Sequence, residues 1–491
     1  MNDQTVSASI SPSIKKNYFY NTALTVLNIL FPLVTFPYVL RVLGPENYGK
    51  FAWAASIVGY LAILAGFGLP AYGIKEIAKS RDQEKSLSKV FSSLFLIGSI
   101  TSLLSLVLLI ILTAAVPKIH SDLVLFMVVG FTLFLNIFSI DWYYQGREDY
   151  GFICIRSLVF KIVSLVLVFT VIRRAGDYIL YAGITVIALG GANIWNMLKS
   201  RKHLSLKKGN IDLKPHLKPL FILFLASAIG NVYNMLDTTL LGFLSNNKSV
   251  GFYQTDRKLT QLAITIVISL GTVLVPRLAF YLKNKQHDDY ARMAERSLQF
   301  IYFLALPALA LFIGLAPEIV YAMGGPAYGE ASLSLILISP IVLITCLDTF
   351  LGAQVLIPNN DEKAILFANI TGAAVNFTIN ILLIPKFKQN GSAIAIAVSE
   401  SAVLLTQWFL GRKYIRFRFF NMQTLKYLAG SAVIGLIIMV SKTLFHNPWI
   451  ILGTSAFASA LFYGIFMIAT KDLFAGIFLR TAAGFLKGRK N

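Results

Sequence analysis

Asp237 sits in the middle of GNVYNMLDTTLLG, an apolar stretch in which an ionisable side chain would be surrounded by hydrocarbon. An acid at the centre of a bilayer costs about 3 kcal/mol, so such a residue faces a protein interior or a water-filled cavity. Asn376 and Asn380 are four residues apart and share one face of a helix. With Asp237 they can offer oxygen ligands to a monovalent cation or form a proton-linked network; interhelical hydrogen bonding explains the two asparagines equally well. Glu400 and Asp348 lie in other apolar segments and read as further proton carriers or ion-pair partners. The cations suit a different partner. Arg257 and Lys258 in YQTDRKLTQL, and Lys161 deep in another apolar run, are suited to an anion such as a diphosphate, which needs desolvated cationic partners. Snorkelling beside Asp256 is the plainer account of the first two. Arg41 can serve the outer mouth of such a site or simply contact headgroups.

Other chemistries find little support. GPENYGK, residues 44–50, matches the front of a phosphate-binding loop, but Phe51 follows where the Mg²⁺-binding Ser or Thr belongs, and an apolar helix precedes it in place of a strand. The five histidines are scattered without HxxxH or HExxH spacing. No GxSxG nucleophile elbow occurs, and Cys154 and Cys346 are too far apart in sequence to suggest a disulfide framework or zinc site. These features point away from an enzyme, a resident metal, a cofactor, a nucleotide or a nucleic acid.

The elements that must position these residues are membrane helices. The 491-residue chain is 56% hydrophobic and 14% charged, against roughly 45–50% and 25% in soluble proteins. Apolar runs bounded by charge, Gly or Pro predict an all-α membrane protein of about 14 spans, at 18–41, 50–72, 90–116, 121–142, 153–172, 178–198, 217–244, 251–281, 298–322, 331–357, 364–385, 391–411, 424–444 and 448–470. With the N-terminus inside, 32 of the 44 Lys and Arg fall on inner segments and 11 on outer ones, Lys161 lying within a span. That asymmetry puts both termini in the cytoplasm.

The basic segment KSRKHLSLKKGNIDLKPHLK, starting at Lys199, separates six helices from eight. The expected organisation is a six-helix lobe at 1–198, a basic cytoplasmic linker at 199–216, a second six-helix lobe at 217–412, and two extra helices with an amphipathic tail at 413–491. A shift of 202 residues superposes Gly49 on Gly251, Phe51 on Tyr253 and Lys75 on Arg277, and a similar parallel relates Asp141 to Asp348. The two lobes therefore read as a parallel pseudo-repeat. Ala55 and Ser56 stand where the second copy has Arg257 and Lys258, so the second copy is where charge has been acquired. Pro32 and Pro37 are expected to interrupt the first helix, and Pro276, Pro307 and Pro340 later ones, as in a scaffold that moves.

The segment RVLGPENYGKFAWAASIVGYLAILAGFGLPAYGIKEIAKSR, from Arg41, resembles the opening hairpin of the bacterial polysaccharide (O-antigen-type) flippases of the multidrug/oligosaccharidyl-lipid/polysaccharide exporter superfamily. WYYQGREDYGFICIRSLVFKIVSLVLVF, from Trp142, resembles their fourth and fifth helices, and NILLIPKFKQNGSAIAIAVSE, from Asn380, their eleventh-to-twelfth junction. The resemblance implies two lobes around a central cavity in the bacterial inner membrane. Its implied cargo is an undecaprenyl-diphosphate-linked oligosaccharide, moved with the help of an ion gradient. Membrane lipids, a polysaccharide polymerase and chain-length machinery are the implied partners. The lipid II flippases carry an Arg-Asp pair in helix one, where this chain has Thr35 and Phe36, which argues against a peptidoglycan precursor. Arg257 matches a basic cavity residue of those relatives. Two other readings remain open. A multidrug/cation antiporter of the same fold would need an acidic cavity, and a membrane polymerase or ligase would need a large outer loop.

Overall fold

The computed structural model describes residues 12–201, 211–415 and 417–476, and every regular element among them is helical. Parts of the basic linker (202–210) and of the amphipathic tail (from 477) lie outside the described residues. The helices wear their apolar side chains outward. On α3 (Glu84–Ala115), Ser92, Ser102 and Ser105 are fully buried, while Ile100, Leu103 and Ile111 are about half exposed. This inversion belongs to a chain dissolved in lipid, where hydrocarbon is as good a solvent for isoleucine as the protein is, and small hydroxylated residues let helices approach closely.

Eleven stretches among the described residues are long and apolar enough to cross a membrane, and thirteen when each of two bent helix pairs counts as one span. One of the eleven, Leu33–Ser80, contains a turn inside α1 (Pro12–Gly66). At Gly44 the backbone takes φ 71 and ψ 170, a conformation essentially reserved for glycine. Counting the two arms of α1 separately gives the fourteen spans read from the sequence. Pro32 and Pro37 do not interrupt the helix as expected, because α1 stays helical through both and departs from helical geometry only at Gly44. A proline deletes one hydrogen bond, and neighbouring helices in a membrane make that tolerable.

Contacts divide the chain into two compact units, 1–239 and 240–491. The first holds α1, α2 (Leu69–Ser80), α3, α4 (Pro117–His120), α5 (Leu123–Leu135), α6 (Asp141–Gly146), α7 (Tyr150–Val171), α8 (Tyr178–Val186), α9 (Ala192–Ser200) and most of α10 (Lys214–Leu244). A π-helical segment at Ile187–Gly191 joins α8 to α9. Its aromatic core gathers Tyr72, Phe91, Trp142, Tyr143 and Tyr144. The turn inside α1 is tied down by polar bonds on both sides of Gly44, with Tyr38 donating to the Ile172 carbonyl at 2.6 Å and Asn47 to the Ala175 carbonyl at 2.9 Å.

The second unit contains α11 (Asn247–Lys283), α12 (His287–Gly314), α13 (Ala316–Gly324), α14 (Ala331–Ile338), α15 (Ile341–Phe350), α16 (Glu362–Phe387), α17 (Gln389–Gly411), α18 (Met422–Leu444) and α19 (Pro448–Ala469). The tenth span is in three pieces: α14, then α15 after Pro340, then a π-helical segment at Leu351–Leu356. α11 bends by 45° between Ser269 and Leu274, where the ring of Pro276 denies the carbonyl four residues earlier its partner. α16 and α17 form the tightest hairpin. Lys388 turns the chain with φ 50, and a Cβ on Gly391 would come within 2.7 Å of the Leu383 backbone, so only glycine fits there. The two extra helices are part of this unit, with the Tyr463 hydroxyl of α19 donating to the Phe303 carbonyl of α12 at 2.9 Å.

Candidate functional site

The polar residues of the second unit converge on α17, which presents two chemistries on two faces. Toward α16 it offers serines to an amide ladder. Asn376 Nδ2 donates to Ser399 Oγ at 3.2 Å, Asn380 Nδ2 to Asn376 Oδ1 at 3.0 Å, and Ser392 Oγ to Asn380 Oδ1 at 3.1 Å. Both asparagines are fully buried. Toward α15 it offers Glu400, which accepts from Thr345 Oγ1 at 3.0 Å. Asp348 also accepts from Thr349 at 3.1 Å. Two acids that the sequence places more than fifty residues apart are therefore carried on the neighbouring helices α15 and α17.

At the end of this seam Asp361, in the turn before α16, takes an ion pair from Lys413 at 3.0 Å and a hydrogen bond from the Tyr414 hydroxyl at 3.1 Å. The Lys413 ammonium, helped by Tyr414, holds the Asp361 carboxyl below the usual carboxylate range.

Arg257 and Lys258 are half-buried on α11, about ten residues in from its start. Asp256, their neighbour in sequence, is fully buried and turns toward α14, where Ser334 Oγ donates to it at 2.5 Å. In the first unit Asp237 is 2% exposed. Two residues further on, Thr239 donates to Ser56 of α1 at 3.1 Å. Lys161 is half-buried on α7 with Nζ 6.0 Å from the centre of the Phe31 ring, a weak cation–π approach. Arg41 is exposed on α1.

One cluster escaped the reading of the sequence. Arg156, 3% exposed on α7, grips Asp141 with both guanidinium nitrogens, at 2.7 and 3.2 Å, and also bonds the Asn196 side chain of α9. Asn196 donates back to Asp141 at 2.6 Å. Arg156 is close enough to the inner end of its span to be counted as a topology charge, and only folding shows that it points inward. Asp141 stands on the wall of a cavity of about 380 Å³ within the first unit, lined by Phe51, Gly59, Thr132, Ser139, Thr185 and Asn193 among others. Its charge there is already met by Arg156, so this wall is electrically balanced. No group of three or more His, Cys, Asp or Glu side chains among the described residues is arranged to hold a metal ion.

Residues 14–282, more than half of the chain, match the family described as polysaccharide biosynthesis protein. The chain belongs to that family. It is similar to the "Putative O-antigen transporter" of Escherichia coli (strain K12), 23% identical over 80% of this chain and 95% of the relative. It is also similar to the capsular polysaccharide biosynthesis protein CapF of Staphylococcus aureus, 20% identical over 81% of this chain and 99% of the relative. Among solved structures, the lipid II flippase MurJ in an inward closed conformation superposes with a TM-score of 0.74 at 16% identity, over 93% of this chain and all of that one. An inward-facing multidrug resistance transporter of the MATE family superposes with a TM-score of 0.62 at 13% identity, over 81% of this chain and 98% of that one. The family member described here therefore has a multi-pass membrane fold shared with flippases and drug exporters.

Proposed function

We propose that this family member is a flippase that carries an undecaprenyl-diphosphate-linked oligosaccharide repeat unit across the bacterial inner membrane by alternating access, driven by an ion gradient. The family and its transporter relatives speak for transport over enzymatic chemistry. The observation that carries the cargo assignment is the Arg257–Lys258 pair, two adjacent cations half-buried within a membrane helix whose neighbouring acid, Asp256, is turned into the core. A diphosphate is the ligand that such desolvated cations recognise best. Lys161 and Arg41 add cationic contacts on the cargo's way. Asp237, Asn376, Asn380, Asp348 and Glu400 form the ion-responsive set, with a monovalent cation or a proton as the coupling ion. In this reading both termini are cytoplasmic, and the polymerase and chain-length machinery act on the delivered units.

The decisive experiment reconstitutes the full chain in proteoliposomes with a fluorescent polyprenyl-diphosphate oligosaccharide in one leaflet. The probe is expected to equilibrate between leaflets in the presence of the protein. No acceleration over empty liposomes would remove the reading. A multidrug/cation antiporter remains the second reading because of the MATE-like fold. It needs an acidic cavity, whereas the acid lining the 380 Å³ cavity is neutralised by Arg156. Resistance to cationic dyes upon expression would favour it.

A further inference from the structure

The cavity of about 380 Å³ in the first unit is walled by a chemistry that recognition of a diphosphate does not use. Its volume falls within the range of small-molecule sites. Polar side chains reach it from several elements: Thr132 of α5, Asn136 and Ser139 just after that helix, Asp141 of α6, Thr185 of α8 and Asn193 of α9. The π-helical turn at Ile187–Gly191 lies between the last two, and both stand on the wall. Such turns are frequent at functional sites.

The hydrogen-bonding capacity of this wall is only partly used. Ser139 Oγ makes no hydrogen bond among the described residues. The amide nitrogens of Asn136 and Asn193 donate to Ser102 Oγ at 3.4 Å and to the Leu135 carbonyl at 3.3 Å, but their side-chain oxygens accept nothing among the described residues. Thr132 and Thr185 donate to carbonyls of their own helices at 2.7 and 3.0 Å, so each oxygen can still accept. Asp141 presents its carboxylate with Arg156 behind it, the acid side chain being 38% exposed and the cation 4%. Asp141 lines the cavity and Arg156 does not. The wall is thus rich in acceptors and free of net charge, and Phe51, Ala55 and Val58 of α1 make another part of it apolar.

A ligand matched to this wall carries several hydroxyl donors, an apolar face and no charge. An alkyl chain would leave the oxygens unpaired. An anion would meet acceptors with no cation on the lining, and a cation would find Asp141 already paired. A neutral pyranose meets all three requirements, with hydroxyls around its rim and C–H groups on its faces. The pseudo-repeat agrees: Ala55, on this wall, corresponds by the shift of 202 to Arg257, so the first copy stays neutral where the second carries a cation.

We propose that this cavity is a sugar-reading subsite, which takes an uncharged sugar residue of the lipid-linked oligosaccharide and selects cargo by it. The assignment rests on the flippase reading above and names the class of sugar.

The test measures binding of three polyprenyl-diphosphate lipids to the full chain in detergent, then their movement in proteoliposomes. One lipid carries a neutral oligosaccharide, one the same oligosaccharide built from uronic acids, and one no sugar. The wild type is expected to bind the neutral lipid about tenfold more tightly than either of the others. The triple variant Thr132→Val, Ser139→Ala, Thr185→Val removes three hydroxyls at nearly constant volume. It should lose most of that preference while binding the sugar-free lipid as before. Ala55→Leu, which fills the cavity without touching a hydrogen bond, should act in the same way. Equal affinity of the wild type for all three lipids would overturn the subsite, as would variants that keep the preference or weaken the neutral and sugar-free lipids alike. If the wild type moves the lipids without preferring neutral sugar, the subsite falls and the flippase stands. If it shows the preference in detergent but moves none of them, the flippase reading falls and the sugar site stands.

Discussion

Arg156 and Lys161 are five residues apart on α7 and have opposite fates. Arg156 is spent on structure, with its guanidinium closed by Asp141 and Asn196. Removing Asp141 would leave the buried Arg156 charge without its counter-ion, and removing Arg156 would undo the bonds that join α7 to α9. Arg156→Ala should therefore lower the thermal unfolding midpoint in detergent and the yield of folded protein, and Asp141→Ala should do the same. Lys161, resting near an aromatic ring, should be replaceable by Met without comparable loss. Arg257 belongs to the other class of cation. Arg257→Ala should abolish surface polysaccharide in a complemented flippase-deficient strain at unchanged protein level, and normal polysaccharide there would remove Arg257 from the mechanism. The sequence could rank these residues by depth in a span, but depth does not reveal a partner. Asp141 and Arg156 are separated by a turn and a half-span, and that pairing leaves no spacing pattern behind.

At the scale of elements, two hairpins show what local sequence can and cannot announce. The Gly44-Pro45 turn was readable because glycine is the residue that tolerates its backbone, and Gly44→Ala should cost about 1–3 kcal/mol of stability, measured by thermal unfolding. The prolines misled: Pro32 and Pro37 are carried inside a continuous helix, because in a bundle neighbours decide whether a missing hydrogen bond becomes a break. In the α16–α17 hairpin, the shared face of Asn376 and Asn380 was legible from their spacing, while their serine partners depended on how α17 packs. A double-mutant cycle of Asn376→Ala and Ser399→Ala should return a coupling of about 0.6 kcal/mol, the usual size for a hydrogen bond between membrane helices. A coupling near zero would mean that the bond contributes nothing beyond packing.

For the whole molecule, the span pattern was the most legible feature, since the length of an apolar run is fixed by bilayer thickness. Orientation is the part that remains to be measured, and the chain is well suited to it. Both native cysteines are buried, Cys154 at 7% and Cys346 at 0% exposure, so they give little background labelling. His446→Cys, on an exposed outer loop by the charge asymmetry, should react with a membrane-impermeant maleimide in intact cells, and Gln286→Cys only after permeabilisation. The reverse pattern would invert the topology.

The π-helical segments at Ile187–Gly191 and Leu351–Leu356 bear on chain length itself. A π turn accommodates one residue more than an α turn, so each segment stores a surplus residue within an otherwise regular span. Each residue of an α-helix advances the chain by about 100°. Excising Ala353 would let the span wind as a plain α-helix and would turn α15 against everything that follows it. Thr345 would swing away from Glu400 although no functional side chain had been altered. A single-codon deletion there should leave the protein inserted and stop movement of the lipid probe in proteoliposomes, and reinserting any small residue should restore it.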